Sequence, residues 1–184
     1  MDPTEALLNE GGKSYVPAVS AMLAFRELIC TRCRQTVQNR LPDYAKALKL
    51  SLNENELGDC NYPSLKEWEH SWASIGTEIK KNGGGEVSLF HTLEWELIQD
   101  RWITFASASL WIPKSKQPHL NKLHKSFRMH ATSSEVWSDN LDLGIRREIQ
   151  ALQFACFENI LDSVLQDWIG IWKKVGGFPK NLLR

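Results

Sequence analysis

Several groups of side chains in this sequence have the types and spacing to do chemistry. The first is Cys30-Thr31-Arg32-Cys33. Two thiols at this spacing clip a metal, run a disulfide cycle, or share a helix face. A zinc site wants four ligands, commonly from two such pairs. Here Cys60 and Cys156 stand alone, and the histidines at 70, 91, 119, 124 and 130 complete no ligand spacing. A redox pair opens a helix, whose N-terminus lowers the thiol pKa. These two fall about three turns inside a helical pattern. They are expected to be structural, with Cys33 buried, Cys30 at the edge of the buried stripe, and neither a metal nor a disulfide joining them.

The second group is Glu78-Ile79-Lys80, which on a strand places carboxylate and ammonium on one face. Glu94 and Glu96 flank Trp95 on the next expected strand. They share a face and repel unless one is protonated or a cation lies between them. The plainer expectation for them is the wet face of an antiparallel sheet. The third group is Ala106-Ser107-Ala108-Ser109, small residues beside Trp95, Trp102 and Trp111. They leave room either for a pocket with Ser107 in its floor and Trp95 and Trp111 in its walls, or for close approach of a helix. No Gly-x-Ser-x-Gly elbow accompanies the serines.

The fourth group is a matter of charge. From Arg101 to Ser134 there is no acidic residue, while Lys114, Lys116, Lys122, Lys125, Arg128 and His130 lie within it. Acids concentrate at 53–69 and 94–100. Segregated charge in a neutral chain points to a local cationic face for an anionic ligand, nucleic acid or an acidic partner. Without a glycine-rich cradle it is not a nucleotide loop.

The order expected for the elements, helix, three strands, helix, strand, resembles the core of the restriction-endonuclease-like nucleases. That resemblance implies Mg²⁺ hydrolysis on Glu78, Lys80 and a carboxylate such as Glu94. The family's aspartate belongs on a strand ahead of the Glu-x-Lys strand, whereas here Glu-x-Lys is on the first strand. The better-supported expectation is therefore a non-enzymatic binding or assembly module using the basic 113–130 segment, with no cofactor.

These groups must be positioned by a chain of 184 residues, 42% of them apolar and eight of them tryptophan, with zero formal net charge. That composition suits one α+β domain with a sizeable core. The start of the chain carries no secretory pattern, no apolar run is long enough to span a bilayer, and the cysteines are few. A soluble, reducing, cytoplasmic setting away from any membrane is the expectation. Residues 1–16 read as a loose lead-in to a domain over 17–184. Met22, Phe25, Ile29, Cys33, Val37 and Leu41 form one helical stripe, broken near Pro42 and resuming to about 51. A short helix fits Ser64–His70. Strands are expected at 72–80, 87–98 and 102–112, joined by a glycine hairpin at 82–85 and a tight turn at Gln99-Asp100-Arg101. A short helix at 118–126, a fourth strand at 127–137 and a long helix from Asp139 or Asp142 to Lys174, stopped by Gly176-Gly177, complete the reading. The last helix, 143–174, is apolar over more than half its circumference, so it is either central to the core or the seam of a homodimer.

Overall fold

A computed structural model describes residues 3–50, 52, 57–61, 72–80, 88–114, 117–131, 134–139 and 141–179. The expected short helix at 64–70, the 82–85 hairpin and Lys116 lie outside the described residues, as do the side chains of Met22, Lys80, Leu152 and Phe154. The fold is α+β, as the patterns imply: helices packed on an antiparallel sheet. α1 is Pro3–Leu48. β1 (Leu57–Asn61), β2 (Trp72–Lys80), β3 (Ser88–Ile98) and β4 (Arg101–Trp111) follow. Then come α2 (Gln117–His130), β5 (Glu135–Ser138), β6 (Asp142–Ile149), a 3₁₀ segment (Ala151–Cys156) and α3 (Phe157–Lys174). The sheet has six strands, not four, in the order β1-β2-β3-β4-β6-β5. No described helix is long and apolar enough to cross a membrane.

The β2-β3-β4 meander lies where expected, with Thr77, His91 and Ala108 aligned across it. Gln99 and Asp100 both adopt positive φ (49° and 61°), the two-residue turn whose twist matches a hairpin. β6 is the main departure. Residues 142–149 were expected to be helical, but Leu143, Ile145 and Ile149 are buried on the period of a strand pairing with β4. Only 157–174 of the expected long helix is α-helical. Likewise 127–130 extend α2, and the expected fourth strand shrinks to β5.

α1 also differs. Residues 3–16 are helical and not a loose lead-in, and the helix runs through Pro42 to Leu48. A mid-helix proline costs about 3 kcal/mol. Burial of Leu41, Tyr44, Ala47 and Leu48 around it offsets that cost. The buried stripe starts at Ile29: Phe25, expected inside, is 40% exposed, and most side chains from Glu10 to Leu28 are exposed.

The helices cover one sheet face, that of Leu89, His91, Leu93, Ala106, Ala108, Leu110 and Ile145. Phe127 of α2 meets Trp168 and Trp172 of α3 edge-on at 5.1 and 5.0 Å. Trp168 Nε1 donates to Tyr44 Oη at 2.5 Å. Arg40 reaches Asp162 with two hydrogen bonds of 2.6 and 2.7 Å, and Arg32 pairs with Glu158. Gly176 and Gly177, at φ 90° and 99°, stop α3 where expected. Phe178 N then bonds Leu48 O at 2.9 Å, fastening that end to α1.

Cys33 is fully buried, as expected, and burial pushes its thiol up to about 12. Such a thiol is inert. Cys30 is buried too, not at an edge, and it is disulfide-bonded. Cys33 and Cys156 are free thiols, so the bond does not join 30 to 33. A bonded cysteine runs against the uniformly reducing, cytoplasmic setting expected from the sequence.

Candidate functional site

α2 is where the expected cationic face takes form. Pro118 sits in its first turn, where a missing N–H costs nothing. Leu120, Leu123 and Phe127 recur at helical spacing and are buried. That phase sends Lys122, Lys125 and Arg128 outward, all three exposed, spaced about 4.5 Å apart along the axis. Lys114 is exposed just ahead of the helix. Lys174 Nζ lies 3.4 Å from His130 O. The end of α3 therefore brings Lys173 and Lys174 to the end of α2. Their place beside His130 bridges a separation of 44 residues, which local pattern does not reveal.

No described acid neutralises this face. Arg32, Arg40 and Arg146 elsewhere are ion-paired with Glu158, Asp162 and Glu96. Lys122, Lys125, Arg128 and Lys173 make no ion pair with a described residue. His124 lies between α2 and β5, its Nε2 3.5 Å from Ser138 Oγ. Partial burial, then the Arg128 charge, lower its pKa and keep it neutral.

The other expected site residues do not join this face. Ser107 and Trp111 point to the sheet face away from the helices, while Trp95 points toward the helices. The expected Trp95–Ser107–Trp111 pocket is therefore split by the sheet itself, because residues of odd and even register on paired strands face opposite sides. Glu78 and Glu94 do share a face. But Glu78 pairs with Phe90 and Glu94 with Ser74, so about 13 Å of strand separates them. Among the described residues no three His, Cys, Asp or Glu side chains converge to hold a metal ion. Nor is Glu94 on a wet face: it is 7% exposed. Burial raises its pKa, opposed by the Thr92 hydroxyl, which donates to Oε1 at 3.0 Å.

The chain matches no known protein-family model, no curated protein and no solved structure. The chemistry of the surface carries the functional reading.

Proposed function

We propose that the protein is a non-enzymatic binding module that engages the phosphate backbone of nucleic acid through the outer face of α2. The observation that carries this is the row itself: Lys122, Lys125 and Arg128 stand outward one helical turn apart with no described acid paired to them, while Arg32, Arg40 and Arg146 are ion-paired. An open row of cations suits an extended polyanion better than a single small anion, which would want an enclosing cradle. Among exposed residues of α2 only Met129 is large and apolar. A protein–protein interface would offer an aromatic or aliphatic core. Pairing of two copies through 143–174 has little to support it: 143–149 is a central strand, and the apolar residues of 157–174 lie buried in the fold.

Fluorescence anisotropy with a short labelled duplex and its single strand tests the reading. With about four phosphates neutralised, affinity is expected to fall by about 100-fold between about 50 and 200 mM salt. Lys122→Glu, Lys125→Glu and Arg128→Glu together are expected to abolish binding. Absence of binding, or equal binding by the triple variant, overturns the proposal. Tight binding of poly-glutamate without nucleic acid would replace it with an acidic protein partner.

A further inference from the structure

α1 outruns the domain it belongs to. Its stripe is buried from Ile29 onward, but over residues 3–28, about 39 Å of helix, no described side chain is buried. This stretch is poorly suited to stand alone in water. Pro17 removes a hydrogen bond from inside it, and Gly11 and Gly12 are weak helix formers. From Ser14 to Leu28 only Arg26 and Glu27 are charged. Helices in proteins are held chiefly by packing a face against something.

One face has the pattern to pack on a copy of itself. Gly11, Ser14, Ala18, Ala21, Phe25 and Leu28 alternate spacings of four and three residues from Ser14 on, the seven-residue repeat of a two-helix seam, and all six are exposed. They lie about a third of a turn round the helix from the buried stripe of Ile29, Cys33, Val37 and Tyr44. The seam is small at one end and large at the other. Phe25 is 40% and Leu28 49% exposed, whereas a Cβ added to Gly11 would meet nothing within 4 Å.

We propose that a second copy of this chain docks along this seam, the two α1 helices running antiparallel about a two-fold axis between residues 19 and 20. Leu28 of each copy then comes over Gly11 of the other, Phe25 over Ser14, and Ala21 faces Ala18. The small residues let the helix axes approach to about 8 Å. Charge fits the same register: Glu27 of one copy and Lys13 of the other lie on one flank, level to within about 1.5 Å along the axis. A parallel pair in register would set Glu27 against Glu27 and Lys13 against Lys13, and would leave the space over Gly11 empty. The start of each helix runs beside residues 29–36 of the other, where Thr31, Arg32 and Gln35 are exposed. Both copies use the same patch, so the pairing closes as a dimer and does not propagate.

Sedimentation equilibrium of the full chain from about 1 to 100 μM, without nucleic acid, tests this. The mass is expected to rise to twice that of one chain. Ala21→Glu, which sets two acids at the centre of the seam, is expected to weaken association at least about tenfold, and Gly11→Leu, which fills the space for Leu28, does the same. Lys13→Glu is expected to weaken it about threefold, and adding Glu27→Lys restores it only if the helices are antiparallel. Leu23→Gln, on the opposite side of α1, and the α2 triple variant leave the dimer unchanged, which separates this seam from the nucleic-acid reading. A single-chain mass at every concentration overturns the proposal. So does full association by Ala21→Glu or Gly11→Leu, loss of the dimer in Leu23→Gln alone, or no rescue by Glu27→Lys. Binding to phosphatidylcholine vesicles without self-association would replace the second copy with a lipid surface.

Discussion

The two faces of the sheet bury side chains by different means. Toward the helices lie Leu89, Leu93, Ala106, Ala108 and Ile145, closed over by Trp168, Trp172 and Phe127. Away from them lie Thr92, Glu94, Ser107 and Ser109, almost as inaccessible but polar. The run 106–109 shows the rule in four residues. Its alanines face the helices and let α3 approach; its serines face the opposite side of the sheet. Burial of apolar surface stabilises outright, at roughly 25 cal/mol per Å². Burial of polar groups stabilises only through the partners they find.

The largest expected effect is on the apolar face. Trp168→Ala removes the ring that Phe127, Trp172 and Tyr44 contact and leaves the Tyr44 hydroxyl without its donor. A loss of about 3–5 kcal/mol in unfolding free energy is expected from denaturant titration.

The next is a difference of sign between the faces. His91 is fully buried on the helix side, both ring nitrogens lack partners, and burial lowers its pKa to about 3. Between about 6.5 and 3 the unfolded chain binds the proton that the folded chain refuses. Stability therefore falls as pH falls, by on the order of 4 kcal/mol across the window. Asp142 acts the other way. Its folded pKa of about 6 lies above the ordinary 3.8, so the folded state holds the extra proton and stability falls as pH rises through that interval. His91→Leu is expected to remove the acid-side loss and leave the Asp142 slope. Urea titrations from about pH 4 to 7 would show it; an unchanged acid limb would show that His91 finds a proton acceptor.

The smallest effects sharpen the contrast within one strand. Ala106→Ser places a hydroxyl under the helices and is expected to cost about 1–3 kcal/mol. Ser107→Ala, one residue along, deletes a hydroxyl that faces the buried Glu94 carboxyl and is expected to cost about 0.5–1.5 kcal/mol. Thermal melts of the two variants side by side decide it.

The meander was legible because β2, β3 and β4 are long enough for alternation to be unambiguous, and the Gln99-Asp100 turn was legible from its place between them. β6 was not, because Ile145 and Ile149 are four apart, a spacing that suits both a helix turn and two steps of a strand. Only Leu143 and Arg147 settle the period, and Arg147 reads as a surface residue until it is seen bonding Ser163 and Ser134. Pro42 misled for a related reason: local rules break a helix there, and tertiary burial of Tyr44 and Leu48 overrules them. The cationic face could be read because most of it lies on one helix. The Arg146–Glu96 pairing could not, since the two residues are 50 apart and meet only through the out-of-sequence order of β6 and β5.

That strand order also decides how the sheet ends. Its interior strands β2, β3 and β4 run to 9–11 residues, but the strands at its two margins, β1 and β5, have only five and four. The β1 register is broken between Leu57 and Cys60, and β5 carries the charge of Glu135. Another chain adding to either margin would find a short, interrupted ladder. The protein thus places its longest β-forming stretches where no neighbour can template on them, which guards against edge-to-edge aggregation.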